Sequence, residues 1–378
     1  MFDALHGLVA WTPLGLPAFL FVITVVVFFH ELGHFAVARW CGVKVDVFSV
    51  GFGREIFGWT DKSGTRWKVS WLPIGGYVKF SGDANAASLP DHEAADRMAE
   101  ADRVHTLAAK PVWQRAAVAA ASPLANFILA IVLFTGLLFY NGHTVLAPII
   151  GGVVKGSAAE AAGIHTGDRV TAIDGAKITD FEQMPQIISV SGGRTLNIEL
   201  VRAGKPLSLQ VMPRPTRMRD VLGDMGTNMV IGVRPSANAP VTTERYSLPG
   251  AVGAAVSQTW DIMHTTVQGI IQMVRGHASA DQLRGPLGIA KMTRQVAVFG
   301  FMALLQLVAV LSVSIGLANL FPIPLLDGGH LLYYACEAVL GRPLGERAQD
   351  VGFRLGLVLV LGLVLLTTWN DLARLNLF

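Results

Sequence analysis

Apolar residues run almost unbroken through 17–38, 116–140, 299–320 and 351–369. Each stretch reaches the length, about 20 residues, that a helix needs to span a bilayer. After the first of them the period shortens to two. Lys44-Val45-Asp46-Val47 and Arg66-Trp67-Lys68-Val69-Ser70-Trp71 alternate in polarity and predict strands. Gly51, Gly53, Gly58, the turn Asp61-Lys62-Ser63-Gly64 and Gly75-Gly76 punctuate them, so a small antiparallel sheet is expected directly behind the first crossing. Such a sheet either offers its edge to an extended peptide or covers the crossing from solvent. Residues 84–106, rich in Ala, Asp and Glu, read as a solvated linker or short helix. Beyond the second crossing, the pattern predicts a strand at 149–154, a helix near 181–188 and a hairpin at 195–211 around Ala203-Gly204. Trp260, Ile262, Met263, Val267, Ile270, Ile271 and Val274 then recur at helical spacing, an amphipathic helix packed on a domain or lying at a membrane surface. Gly285-Pro286-Leu287-Gly288 breaks the chain before the third crossing. The segments are 1–40, 41–115, 116–140, 145–236, 237–298, 299–330 and 351–370.

Composition agrees with a chain built for lipid. Of 378 residues, 52% are hydrophobic and 15% charged, with a mean hydropathy of +0.48, which is an integral membrane protein rather than a soluble enzyme. The net charge of +3 is small and its basic residues form no stripe interleaved with aromatics, which excludes nucleic acid as a partner. Cys41 and Cys336, far apart and each beside an apolar segment, read as packing residues. No Lys or Arg precedes the first apolar run, and a cut after it would remove the histidines described next, so a cleaved signal peptide is not expected. The loop 39–115 holds eleven Lys or Arg, whereas the first sixteen residues hold none. That bias places the loop in the cytoplasm, and both chain ends and residues 141–298 outside it.

The chemistry gathers at His30-Glu31-Leu32-Gly33-His34, at the inner end of the first crossing. Two histidines four apart share a helix face and can hold one metal ion, with the intervening carboxylate beside metal-bound water: the H-E-x-x-H arrangement of zinc hydrolases. A carboxylate in a membrane helix costs about 2.5–3.5 kcal/mol on insertion scales, which favours function over a merely polar helix face. A catalytic zinc site wants a third protein ligand and an open position. Asp327 is the candidate, in Asn319-Leu320-Phe321-Pro322-Ile323-Pro324-Leu325-Leu326-Asp327-Gly328-Gly329, where two prolines and two glycines must disrupt the helix. His330, three residues on, is a competing donor, expected to support the ligands or the structure rather than bind the metal.

Two resemblances follow from these residues. The order of Ser157-Ala158-Ala159-Glu160-Ala161-Ala162-Gly163-Ile164, Gly167-Asp168-Arg169-Val170 and Ile173-Asp174-Gly175 within 148–236 resembles a bacterial PDZ domain. Such a domain either seats a peptide between the strand at 149–154 and the helix at 181–188 or sieves bulky substrates. The whole chain resembles the site-2 protease family of intramembrane metalloproteases, in particular the bacterial sigma-E regulatory protease group. The best-known members of that group have two PDZ domains, where one is recognisable here. The resemblance implies His30, His34 and Asp327 as ligands of one Zn2+, Glu31 as general base and acid, and Asn319 as a group holding the substrate backbone or developing oxyanion. Ser122-Pro123-Leu124-Ala125-Asn126-Phe127 is similar to the family's second-crossing segment, with Ser122 where Gly is usual, and implies Asn126 as a packing or substrate-contact residue. The expected fold is therefore a polytopic α-helical membrane protein with four transmembrane helices, a membrane-associated β-sheet on the cytoplasmic side and one extracytoplasmic PDZ (α+β) domain. The expected setting is the bacterial inner membrane. The implied substrates are single-pass membrane proteins, anti-sigma factors or remnant signal peptides, already shortened by another protease. A non-catalytic PDZ adaptor with structural zinc and a metal or proton transporter stand as rival readings. The latter is weakened by a single polar cluster at membrane depth and the lack of a repeat.

Overall fold

The computed structural model describes residues 14–83, 100–219, 225–276 and 283–374. The expected linker therefore lies outside the described residues from 84 to 99, as do residues 1–13. Among the described residues, four helices are long and apolar enough to cross a membrane: Gly15–Trp40, Val112–Asn141, Phe301–Leu320 and Arg347–Arg374. The chain divides into two compact units, Met1–Phe134 with Gly285–Phe378, and Thr135–Arg284.

In the first unit, helix α1 (Gly15–Trp40) buries Val22 and Val26 against Leu129 of α2 (Val112–Asn141) and Leu307, Val308 and Leu311 of the later helix Phe301–Leu320. α1 and α2 meet in tight backbone contact at Gly33, where a Cβ would collide with the Ala121 carbonyl and the Ser122 backbone. Between these helices lie strands β1 (Val45–Thr60) and β2 (Arg66–Phe80), antiparallel overall. The expected sheet has a further fold. Val47–Val50 is registered twice, against Gly76–Lys79 in falling order and against Arg66–Val69 in rising order, while Phe57–Thr60 returns along Arg66–Val69. Gly51 and Gly53, read above as breaks, lie inside β1 at φ of 90° and 88°. They bend one long strand until it flanks its partner on both sides, a backbone state that side chains resist. Phe48 anchors the sheet, buried with Val45, Val78, Phe80 and Val118 and stacked on Trp67 at 4.4 Å.

After α3 (Pro286–Ala297) and α4 (Phe301–Leu320), the chain breaks at residues 321–326 and resumes as α5 (Asp327–Leu340), followed by α6 (Glu346–Arg374). The disruption expected around Asp327 is thus confined to the prolines, and Asp327 opens a new helix. Gly328 and Gly329 let that helix start directly against the Leu320, Phe321 and Ile323 carbonyls, where a Cβ would clash. α6 braces the break from outside, with Gly352 and Gly356 against Tyr333 and Pro324. Asp371 of α6 also caps α3, accepting from the Gly285 and Gly288 amides at 3.2 and 2.8 Å.

The second unit holds a four-stranded antiparallel sheet in the order Ala176–Lys177, Arg169–Ile173, Leu196–Arg202, Lys205–Val211. Ile150, Ile164, Val170, Ile173, Met184, Leu196 and Ile198 form its core. Ala203 and Gly204 turn the expected hairpin at φ of 49° and 81°. Asp168 is fully buried and accepts from Arg202 Nε and Nη2, both at 2.7 Å, and from the His165 amide at 2.8 Å. Pairs absent from the sequence reading join Ile150–Val153 to Val233–Pro235, His143–Leu146 to Val241–Glu244, and Arg214–Arg219 to Met225–Val230. The amphipathic helix begins earlier than its apolar stripe suggested, at Leu248, and runs to Val274.

Candidate metal centre

The helical repeat sets His30 and His34 one turn apart on α1, with ring centroids 5.7 Å from each other. α2 faces both rings with Val118, Ser122 and Asn126, spaced by four residues on one side of the helix. The Val118 carbonyl lies 2.9 Å from His34 Nδ1. A carbonyl only accepts, so Nδ1 carries the proton and Nε2 keeps its lone pair for an electrophile. His30 is held by Ser122 Oγ, 2.7 Å from its ring nitrogens, and by Asn126 Nδ2 at 3.1 Å from Nδ1.

α5 delivers the third group. Asp327 Oδ1 lies 3.1 Å from His34 Nε2, and Oδ2 lies 3.6 Å from His30 Nε2 and 3.2 Å from Ser122 Oγ. One donor atom from each of His30, His34 and Asp327 fits within 4.8 Å of the others. Ligand atoms about 2.0–2.1 Å from a tetrahedral zinc stand about 3.3 Å apart. The observed 3.1 and 3.6 Å run to the two different oxygens of the Asp327 carboxylate, each near that edge, and the donor set of two imidazoles and a carboxylate suits zinc.

The three groups border a cavity of about 200 Å³, into which Glu31, Asn319 and His330 also project. Glu31 is 9% exposed, and its carboxylate takes a hydrogen bond from the Val78 backbone. Gly76 presses beside it, with no room for a Cβ between Ser49 O, Val27 and Glu31 Cγ. Asn319 uses one amide hydrogen on the Ile315 carbonyl at 3.1 Å, which leaves its second N–H for a ligand in the cavity. His330 lies outside the set of three converging donors. Asn126 is wholly buried with its Nδ2 against the His30 ring, a position suited to holding that ring. Sequence reasoning missed the Val118 carbonyl, because a backbone acceptor leaves no mark in residue identity. It also missed Arg115, which lines the cavity and pairs with Glu337.

Comparison with known proteins agrees with this chemistry. The profile of peptidase family M50 matches residues 18–363. A protein of Agrobacterium fabrum, named as a zinc metalloprotease by assignment, is 44% identical over 358 residues, covering 94% of this chain and 95% of its own length. One of Rhizobium meliloti, named in the same way, is 44% identical over 358 residues, 94% and 96% of the two chains. Metalloprotease MmpA of Caulobacter vibrioides is 38% identical over 385 residues, 96% of each. With a match over nearly its whole length, its apolar helices and its three convergent donors, the chain belongs to peptidase family M50, the site-2 protease family of membrane-bound zinc metalloendopeptidases.

Proposed function

We propose that this protein hydrolyses peptide bonds inside the membrane-spanning segments of single-pass proteins already shortened by another protease, such as anti-sigma factors or remnant signal peptides. The observation that carries the reading is the convergence of His30, His34 and Asp327, from two segments 297 residues apart in number, around one cavity that Glu31 also enters. In this reading His30, His34 and Asp327 hold one zinc ion. When bound, zinc supplies a Lewis acid that polarises the peptide carbonyl and acidifies water. Glu31 takes the proton from the attacking water and passes it to the leaving amine, and its burial keeps bulk water from competing. The free N–H of Asn319 meets the carbonyl oxygen as it gains charge.

A helical substrate hides its peptide bonds within its own hydrogen bonds, so it must open before it is cut. Gly76–Phe80 supports a way to hold it open. That segment lines the cavity and, among the described residues, has a strand partner on one side only. An extended substrate adds there as a further strand, its scissile bond straightened next to Glu31. The basic loop 39–115 supports an orientation with the site towards the cytoplasm of a bacterial inner membrane. The order of elements in 145–236 supports a PDZ domain outside, with Ile150–Val153 and Gln183–Ser189 flanking the place for a substrate chain end. Mass spectrometry of products from single-pass segments co-reconstituted with the protein in liposomes tests the reading. New termini inside the apolar segment are expected; cuts confined to the water-exposed flanks would refute intramembrane cleavage.

A further inference from the structure

Asp327 is the first residue of α5, yet in that 14-residue helix only Gly328 and Gly329 are buried. The helix follows a non-helical break, and its tight contacts are Gly328 and Gly329 against the Leu320, Phe321 and Ile323 carbonyls at its start and Tyr333 against Gly352 of α6. A rotation of about 20° moves a carboxylate about 5 Å from a helix axis by about 1.7 Å, enough to take an oxygen out of reach of a metal whose bonds are about 2.0–2.2 Å.

Towards the far end of the helix, an ion pair adds to the contacts that oppose that rotation. Asp327, His330, Tyr334 and Glu337 share a face of α5, and the first three line the cavity. Glu337, at the far end of this face, receives both arms of Arg115, Nη1 to Oε2 at 3.0 Å and Nη2 to Oε1 at 2.5 Å. Arg115 is fixed in turn. Its Nε donates to the Lys110 carbonyl at 3.0 Å and its guanidinium lies 5.1 Å from the centre of the Tyr334 ring. The two side chains are 16% and 13% exposed, so the fork is little weakened by water. Arg115 stands in the first turn of α2, three residues before the Val118 carbonyl that orients His34.

We propose that the Arg115–Glu337 pair is a positioning device for the metal centre: it locks the rotation of α5 against α2 and so sets Asp327 relative to His30 and His34. One helix then governs the ligands of both partners, His34 through a carbonyl and Asp327 through an ion pair ten residues away. The inference rests on the zinc-centre reading above.

The test compares the parent with Arg115→Met, Glu337→Leu and the exchanged pair Arg115→Glu/Glu337→Arg in detergent. Zinc affinity is measured by chelator competition, kcat and KM on a membrane-segment substrate, and backbone hydrogen exchange across 328–337 in metal-free protein. Each single variant is expected to bind zinc about tenfold or more weakly and lose kcat by a similar factor with KM within about twofold, and to exchange faster in α5. The exchanged pair is expected to regain most of each loss. Single variants with the parent's affinity, kcat and exchange would overturn the proposal, as would an exchanged pair no better than they are. If the parent neither binds zinc nor cuts substrate, the zinc-centre reading falls, while exchange in the metal-free protein still decides whether the pair holds α5.

Discussion

Gly33 is the residue on which the α1–α2 crossing turns, because its missing side chain brings the Val118 carbonyl and Ser122 against the two histidines. Gly33→Ala is expected to push the helices apart, at a cost of about 1–3 kcal/mol in stability with a weaker hold on zinc. Thermal unfolding in detergent and chelator competition measure the two effects. The neighbouring histidines were legible in the sequence, since spacing by four in an apolar run has few bland explanations. Their supports were less so. Val118 reads as any apolar helix residue, and Ser122 and Asn126 were marked only by family resemblance, with the packing role of Asn126 emerging from its burial against His30. Asp327→Ala removes one of three donors and is expected to lose zinc and cleavage together, whereas Asn319→Ala is expected to keep zinc and lose kcat. Bound zinc and single-turnover rates for the two variants separate these roles.

At the scale of elements, the break between α4 and α5 was legible and its extent was not. Two prolines forbid a continuous helix, but Leu326 precedes α5 without a side-chain cap, so no polar signal marks where the helix resumes. What seats the break is contact with α6, whose Gly356 leaves no room for a Cβ beside the Pro324 carbonyl. Gly356→Ala is expected to displace residues 321–326 and lower kcat, with the apolar crossings intact by circular dichroism. Asp371 joins the same helix to α3 by capping it, and Asp371→Ala is expected to cost about 1 kcal/mol, read as a lower unfolding midpoint in denaturant titration. The hairpin behind α1 shows the opposite failing. Its strands were legible by alternation, but a glycine inside a strand and a glycine ending one look alike in sequence, so the doubling of β1 was hidden.

Across the whole molecule, the four apolar helices were legible because bilayer thickness sets a length that composition reveals directly. The second unit was legible in its hairpin and turns, while its short pairings, such as Val233–Pro235 with Ile150–Val153, join residues about eighty apart and carry no local signal. Its Asp168 gives a pH dependence independent of the metal centre. Burial raises the Asp168 carboxyl, but the Arg202 guanidinium and the His165 amide more than offset this and hold it below the usual carboxylate range. A depressed carboxylate stabilises the fold above its ordinary value near 4, and that contribution disappears as pH falls through the lowered one. Limited proteolysis within Thr135–Arg284 of the intact protein is therefore expected to accelerate below about pH 4 in the parent, and to be faster already at neutral pH in Asp168→Asn, where the charge is lost. One buried carboxylate, Glu31, beside three converging donors is proposed to perform the hydrolysis. The most direct test of that role is cleavage of single-pass membrane segments by the purified parent and by Glu31→Gln, with bound zinc assayed in both: one zinc in each and cleavage by the parent alone are expected, and cleavage by zinc-loaded Glu31→Gln at the parent's rate would contradict the role of Glu31.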